Sequence, residues 1–307
     1  MTTSGWLRRG YERFGQFAYA ANWFVEARLR GLRSHQIMIE GMPLNYLEGG
    51  PQDAEGTIIL LHGFTADRRI WIRFAGHLLG TYRVIIPDLP GHGETPFRSG
   101  LGYSGPAQAR RVIALMDMLG ARKAHVYGNS MGGFITAHLA LNHPGRIATA
   151  GLSDAAGVTG RAPSELDLAV AAGDNPFLID SPAVFDRLYP LTMNRPPFNP
   201  APARAGLARD YIERRESYAE IFSDFYLADL LGEQELSRIS VPVLIIWGEL
   251  DQLVDLSAAR ILHRMVPGAE LTVYQDIGHM PMLEVPGRAA SDYFEFLQRH
   301  QRGGGSA

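Results

Sequence analysis

The 307-residue sequence contains no cysteine, and only one of its 29 basic residues, Lys123, is lysine. The lack of cysteine excludes disulfides, cysteine-ligated zinc and thiol nucleophiles. We interpret the excess of arginine as a bias of genome composition. The formal net charge of −3 gives no indication of a nucleic-acid partner. With 46% hydrophobic residues, the chain has the composition of an ordinary globular protein that buries a sizeable core.

The sequence also lacks a long uninterrupted apolar segment. No run of about 18 uncharged apolar residues occurs, so a conventional membrane-spanning helix is not expected. The longest charge-free stretch near the N-terminus, Phe14 to Val25, contains polar residues and is not followed by a small-residue cleavage pattern. Without a secretory layout we expect a cytoplasmic protein, and association with a membrane surface is an open alternative.

Residues 6–33 combine a helical pattern of apolar side chains with an excess of positive charge. Six arginines outnumber two glutamates in this segment, and Gly10 and Gly15 lower its helix propensity. Apolar residues recur at three- and four-residue spacing, which predicts an amphipathic helix: Leu7, Tyr11, Phe14, Ala18, Ala21, Val25 and Leu32. A basic amphipathic helix either lies at a membrane interface or packs its apolar stripe on the main domain. The sequence leaves both alternatives open.

From about residue 35 onward, short apolar runs alternate with helical patterns. The predicted strands are 36–40, 44–47, 57–61, 82–86, 126–127, 149–153, 243–247 and 271–274, and the predicted helices are 68–79, 104–119, 131–142 and 287–300. Continuous apolar strands that alternate with helices are typical of a mostly parallel sheet with helices on both faces. The predicted fold class is therefore α/β.

Residues 157–238 interrupt this alternation, because they contain helical fragments but no convincing strand. Seven prolines between Pro176 and Pro202 divide part of the segment into short pieces. An irregular, apolar insertion between two strands predicts a cap or lid over the carboxyl ends of the strands. The predicted organisation is an N-terminal helical segment (1–34), a core (35–156 and 239–300), a cap (157–238) and a flexible tail (301–307).

The motif Gly128-Asn129-Ser130-Met131-Gly132 follows an apolar run and precedes a predicted helix. This context is typical of a nucleophile elbow, in which a strand turns so sharply into a helix that the serine is held in a strained conformation. Side chains at the two glycine positions would collide with the neighbouring strand or helix. Ser130 is therefore the candidate nucleophile.

A serine hydroxyl needs an adjacent base, usually a histidine that a carboxylate orients. Asp251 and His279 each follow a predicted strand, in the order serine, acid, histidine that is expected for such a sheet. Because all three residues lie after strands, we expect them to meet at one edge of the sheet. Asp255, four residues beyond Asp251, and Asp154, after the preceding strand, are alternative acids, but neither matches the expected position as well as Asp251.

Acyl transfer also requires N–H donors aimed at the developing oxyanion. We expect these from the backbone of Met131 and of Phe64, the latter in the loop that follows the strand 57–61. The candidates for substrate binding are His62, Gly63, Asn129, Leu253 and Met280, and His62 is also expected to brace its loop. The ten histidines are too dispersed for a metal site. We expect neither a metal nor a cofactor.

With these residues placed, positions 36–300 resemble the α/β-hydrolase superfamily. The turn Asp88–Gly93 of this sequence is part of the match. Residues 245–255 together with Gly278-His279 are similar to one branch of it, the bacterial Moraxella-type lipases and the animal monoacylglycerol lipases. The resemblance implies an α/β-hydrolase fold and hydrolysis of acyl glycerides or similar lipophilic esters. Some members of this branch carry N-terminal membrane anchors, so residues 6–33 are a candidate membrane contact.

Two alternatives to a serine esterase are open. The same elbow sequence recurs in hydrolases that cleave carbon–carbon bonds of ring-cleavage diketones. Their substrates carry a carboxylate, which arginines of the predicted cap such as Arg161, Arg187 and Arg195 would bind. The other alternative is a non-catalytic ligand-binding protein that keeps the fold. Such proteins usually lack one member of the triad, and none is missing here.

Overall fold

The apolar strand segments form one eight-stranded sheet in the computed structural model, which describes residues 3–226 and 228–302. The strands are β1 (Arg33–Ile39), β2 (Met42–Gly49), β3 (Thr57–Leu61), β4 (Arg83–Pro87), β5 (Ala124–Asn129), β6 (Ile147–Ser153), β7 (Val243–Gly248) and β8 (Glu270–Tyr274). Their order across the sheet is β1-β2-β4-β3-β5-β6-β7-β8. β2 pairs antiparallel with β1 and β4, and every other pairing is parallel. The mostly parallel α/β sheet is as predicted.

Alternate side chains of the central strands enter two separate hydrophobic cores, as the two-residue period of a strand requires. In β3, Ile59 and Leu61 pack in one core, while Ile58 and Leu60 pack in the other. Helices cover both cores, which explains why the strand sequences are continuously apolar instead of alternating.

The helices follow the predicted pattern with two differences. They are α1 (Thr3–Leu29), α2 (Ile72–Ala75), α3 (Gly105–Met118), α4 (Met131–Asn142), α5 (Glu165–Ala171), α6 (Pro182–Thr192), α7 (Ala201–Glu213), α8 (Arg215–Phe225), α9 (Glu233–Leu236), α10 (Leu256–Met265), α11 (Pro281–Glu284) and α12 (Pro286–Arg302). The predicted helix 68–79 is instead a 3₁₀ turn, Arg68–Trp71, followed by the single turn α2. Its N-terminus is set by Asp67, whose side chain accepts a hydrogen bond from the backbone N–H of Arg69.

The last helix extends beyond its predicted end at residue 300. Gln301 is still helical, and its side chain accepts a 3.0 Å hydrogen bond from the hydroxyl of Tyr82. This contact anchors the final turn on the core, so the predicted tail begins too early. Residues 303–307 lie outside the described part of the chain.

Five helices, α5 to α9, lie between β6 and β7, and we call residues 157–238 the inserted segment. The described residues of this segment contain no strand. Its buried aromatic and aliphatic side chains share a hydrophobic core with the sheet. The inserted segment is therefore packed on the sheet rather than held away from it.

Helix α1 packs on α7 through a contact between small residues. A Cβ atom built on Gly15 would lie 1.7 Å from the carbonyl oxygen of Pro202. One built on Gly206 would lie 2.4 Å from the backbone nitrogen of Gln16. Only glycine allows the two backbones to approach so closely. Gly15, which weakens an isolated helix, is required for the packing of this one.

Ion pairs and a cation–π contact also hold α1 in place. Glu26 pairs with Arg73 of α2 at 2.8 Å, and the Arg73 guanidinium lies 5.2 Å from the ring centroid of Trp23. Near the other end of the helix, Glu12 pairs with Arg209 of α7 at 3.3 Å. Helix α1 therefore bridges the core and the inserted segment.

The apolar stripe predicted for residues 6–33 is only partly covered by the rest of the protein. Tyr11, Phe14 and Val25 are exposed, as are the neighbouring Phe17 and Phe24, whereas Ala18 and Ala21 are half-buried. Leu32 lies beyond the helix and is buried, and the side chains of Leu7, Arg8 and Arg9 lie outside the description. Helix α1 does pack on the protein, but mainly through residues outside the predicted stripe, such as Gly15 and Trp23. Among the described residues, no helix has both the length and the apolar character needed to cross a bilayer.

Candidate active site

Ser130 occupies a strained turn between β5 and α4. Its backbone has φ 56° and ψ −118°, in the left-handed region that residues with a side chain rarely adopt. A Cβ on Gly128 would lie 2.1 Å from the carbonyl oxygen of Gly132, and one on Gly132 would lie 2.2 Å from that of Leu61. Both flanking positions therefore require glycine, as the elbow motif predicts.

Asp251 and His279 form a buried hydrogen-bonded pair at the ends of β7 and β8. The imidazole Nδ1 lies 2.7 Å from Asp251 Oδ2, and the two side chains are 6% and 0% exposed respectively. Oδ1 of Asp251 accepts hydrogen bonds from the backbone N–H groups of Leu253 at 2.8 Å and Val254 at 3.1 Å. With Nδ1–H donating to the carboxylate, Nε2 of a neutral His279 is left to accept a proton.

Asn129 links the elbow to the histidine loop. Its side-chain amide donates to the backbone carbonyl of His279 at 2.9 Å and to that of Ser153 at 3.3 Å. The β7 end also lies close to this loop, since a Cβ on Gly248 would be 1.9 Å from the carbonyl oxygen of Gly278. The loops that carry the serine, the acid and the histidine therefore support one another.

The two alternative acids have other partners. Asp255 caps α10, where its carboxylate accepts from the backbone N–H of Ser257 at 2.9 Å. Asp154 is fully buried, and its carboxyl group accepts from the backbone N–H of Gly248 at 2.8 Å. Neither forms the hydrogen bond to His279 Nδ1 that Asp251 forms.

Among the described residues, one group of three possible metal ligands has its donor atoms within 4.8 Å of one another: Asp154, Asp251 and His279. A metal ion bound there would compete with the hydrogen bond between Asp251 and His279 for the same atoms. We therefore assign this group to the acid–histidine pair and not to a metal.

His62 braces the loop after β3 and does not line the substrate cavity. Its Nε2 accepts from the backbone N–H of Leu89 at 2.9 Å, so Nδ1 carries the proton and donates to the carbonyl of Gly63 at 2.8 Å. Desolvation by complete burial lowers the pKa of His62 to about 4, so the ring is neutral near pH 7. His62 therefore braces the loop, as expected. It was also a candidate for substrate binding, but it does not line the cavity over Ser130.

The two candidate oxyanion donors come from separate segments, the start of α4 and the loop after β3. Met131 is the first residue of α4, so its N–H has no acceptor within the helix and lies at the positive end of the helix dipole. Phe64 follows Gly63 in the braced loop. Its ring contacts four aromatic rings of the inserted segment at centroid distances of 5.2 to 5.7 Å: Phe177, Tyr218, Phe222 and Phe225.

A cavity of about 570 Å³ opens over Ser130 and His279. The core contributes four of the five candidate substrate-binding residues, Gly63, Asn129, Leu253 and Met280. The inserted segment contributes mainly apolar side chains, among them Phe177, Phe185, Leu188, Met193, Phe198 and Leu207. Helix α1 contributes Phe14, Ala18, Tyr19, Asn22 and Trp23. The α1 wall was not predicted, because the spacing of apolar residues gives no indication of which distant surface a helix meets.

The three cap arginines considered for carbon–carbon bond hydrolysis are not at the cavity. Arg187 pairs with Asp174 at 3.6 Å and Arg195 with Asp276 at 3.1 Å, both pairs on the surface. Arg161 is also exposed, and none of the three lines the cavity. Arg73 of α2 does line the cavity, but its guanidinium pairs with Glu26 at 2.8 Å.

Comparison with known proteins gives consistent matches along most of the chain. Residues 56–286 match the family described as the alpha/beta hydrolase fold. Lipase 1 of Psychrobacter immobilis is 32% identical over 263 residues, which cover 84% of this chain and 82% of the lipase. A monoacylglycerol lipase of Xenopus laevis is 27% identical over 270 residues, covering 83% and 79% of the two chains. The crystal structure of a bacterial membrane phospholipase A superposes with a TM-score of 0.90 and 32% identity, covering 94% and 93%.

Proposed function

Because this chain belongs to the α/β-hydrolase family and is a serine hydrolase of carboxylic esters, we propose that Ser130, His279 and Asp251 are its catalytic triad. The observation that carries the proposal is the 2.7 Å hydrogen bond between Asp251 and a histidine that shares a cavity with the strained serine. Ser130 and His279 line the cavity, whereas the Asp251 side chain is buried behind the histidine.

The proposed reaction has two steps. Ser130 Oγ attacks the ester carbonyl while His279 Nε2 takes its proton, and Asp251 stabilises the resulting imidazolium. The backbone N–H groups of Phe64 and Met131 donate to the tetrahedral oxyanion. His279 then returns the proton to the departing alcohol, which leaves an acyl-enzyme. In the second step, water gives a proton to His279 and attacks the acyl group, and His279 then returns the proton to Ser130 Oγ as the acid leaves.

The proposed substrates are lipophilic esters such as monoacylglycerols. Support comes from the apolar lining of the cavity and from the lipases and monoacylglycerol lipases among the relatives. Each buried methylene contributes about 0.8 kcal/mol to binding, so a cavity of this composition favours a long acyl or alcohol group. The absence of cap arginines from the lining disfavours the carbon–carbon bond alternative.

We further propose that the exposed stripe of α1 contacts a lipid surface from which substrate enters. Phe14 and Phe198 both line the cavity and are 62% and 93% exposed. Apolar surface therefore continues from the cavity mouth onto α1. Arg13 and Arg28 on the same helix are exposed and favour an anionic surface.

Hydrolysis of p-nitrophenyl esters from two to sixteen carbons tests this function directly. We expect Ser130→Ala to keep the fold and to lose turnover by at least about 10³-fold. A fluorophosphonate probe should label the wild type and not this variant. Ser34→Ala, which changes an exposed serine of β1, is the matched control and should keep both properties. Retained activity in Ser130→Ala would show that another residue is the nucleophile.

A further inference from the structure

A second carboxyl group lies directly behind the acid–histidine pair. Asp154 follows β6, is fully buried and has a backbone φ of 47° in the left-handed region. One of its carboxyl oxygens lies within 4.8 Å of both a carboxyl oxygen of Asp251 and a ring nitrogen of His279. No role for Asp154 follows from the proposed mechanism, although burial of a carboxyl group costs free energy.

The donors around the two carboxyl groups indicate which one carries the negative charge. Asp251 accepts from the imidazole and from two backbone N–H groups. Among the described residues, the carboxyl group of Asp154 accepts from the N–H of Gly248 at 2.8 Å and the hydroxyl of Ser153 at 2.9 Å. Two carboxylates this close do not both ionise in a buried site. The negative charge therefore belongs on Asp251, and Asp154 keeps its proton.

The titratable groups that face Asp154 agree with this assignment. They are Asp251 and His279 in the site and Tyr127 from β5. Burial, and then repulsion from Asp251, raise the pKa of Asp154 well above its ordinary value.

We propose that Asp154 is a positioning residue whose protonated carboxyl group donates a hydrogen bond to Asp251. This bond holds the Asp251 carboxylate in the orientation that accepts Nδ1–H of His279. Asp154 Oδ1 also accepts from the backbone N–H of Gly248, the last residue of β7, three residues before Asp251. Asp154 therefore braces both the carboxylate and the backbone that carries it. The inference rests on the proposed triad.

The proton on Asp154 can be tested by stability alone, without reference to catalysis. Above about pH 3.9 an unfolded aspartate is ionised, whereas folded Asp154 keeps its proton. The folded state then binds more protons, so its stability falls as the pH rises toward the folded pKa. Asp154→Asn has no proton to lose. We expect the folding constant of this variant, relative to wild type, to rise about tenfold per pH unit over this range.

Urea unfolding of both proteins at pH 5, 6, 7 and 8 measures this ratio. A steady increase supports the protonated carboxyl group. Parallel stability curves would show that Asp154 is ionised in the folded protein and would overturn the proposal.

The role of Asp154 in catalysis is tested by comparing two variants. Asp154→Asn keeps a donor toward Asp251, whereas Asp154→Gly removes the side chain but tolerates the positive φ. We expect Asp154→Asn to retain at least tenfold more kcat on an ester than Asp154→Gly, with both folded by circular dichroism. Equal loss in both variants would overturn the positioning role. Failure of the triad proposal itself would be seen in a different experiment, as unchanged ester hydrolysis by Ser130→Ala.

Discussion

Two walls of the cavity differ in how they are held in place. The wall that carries the catalytic candidates is made of strand ends, and its polar groups are fixed by short hydrogen bonds within the core. The wall made by α1 and the inserted segment is mostly apolar, and it is held by side-chain packing and partly exposed ion pairs. Its outer face presents Phe14, Phe17 and Phe198 to solvent.

The difference corresponds to two physical requirements. A serine nucleophile needs its base and oxyanion donors within tenths of an ångström, which backbone bonds at the ends of a sheet provide. Backbone bonds from Glu249 to Tyr274 at 2.9 Å and from Leu250 to Ile277 at 2.9 Å join the loops of Asp251 and His279 in this way. A lipophilic substrate instead needs apolar side chains to contact. Helices supply these side chains, and their exact positions matter less than those of the catalytic groups.

The largest effect is expected at the strand-end wall. Asp251→Asn should lower kcat on esters by about 10⁴-fold, because the amide favours the wrong imidazole tautomer. Asp255→Asn is the matched control, since Asp255 lies four residues away and caps α10. Steady-state kinetics on one p-nitrophenyl ester compares them. Similar losses in both variants would mean that Asp251 has been assigned the wrong role.

A smaller effect is expected where α1 meets α7. Gly15→Ala places a Cβ against the Pro202 carbonyl, and overpacking of this kind costs about 1–3 kcal/mol. Gly10→Ala is the matched control, because a Cβ at this position would have no atom within 4 Å. Replacing a glycine inside a helix by alanine should raise the free energy of unfolding by up to about 1 kcal/mol. Urea unfolding measures the stability of both variants, and limited proteolysis measures how readily the chain is cleaved near α1. Equal stability of Gly15→Ala and Gly10→Ala would contradict the close packing of α1 on α7.

The smallest effect is expected on the outer face of α1. Phe17 is 72% exposed and does not line the cavity, so Phe17→Glu should reduce binding to anionic vesicles by roughly tenfold while ester hydrolysis in solution is retained. Met118→Glu, on α3, changes a side chain that is 60% exposed elsewhere on the surface. Vesicle co-sedimentation should distinguish the two. Unchanged binding in Phe17→Glu would remove the proposed lipid contact.

The strand-end wall was largely predictable from the sequence. Ser130, Asp251 and His279 each follow an apolar run, and parallel strands end at one edge of a sheet, so local sequence was enough to bring them together. The sequence favoured Asp251 over Asp154 by its position in the expected order, although both acids follow adjacent strands. The structure distinguishes them through the hydrogen bond that only Asp251 forms with His279 Nδ1. The oxyanion donors Phe64 and Met131 stay a prediction.

The α1 wall was not predictable in the same way. The apolar stripe correctly predicted a helix, but its contact face depends on glycines at positions 15 and 206, which are far apart in the chain. No periodicity in either segment indicates that they meet.

The sequence by itself determined the α/β sheet and the candidate nucleophile, acid and base, because these follow from local apolar patterns and from motifs that a strained turn requires. The tertiary structure alone decided that α1 forms part of the cavity, that Tyr11, Phe14 and Val25 of its stripe are exposed, and that Asp154 lies within 4.8 Å of the acid–histidine pair. Each of these depends on contacts between segments distant in sequence. Such contacts are selected by the packing and charge of the whole fold, which a local pattern does not record.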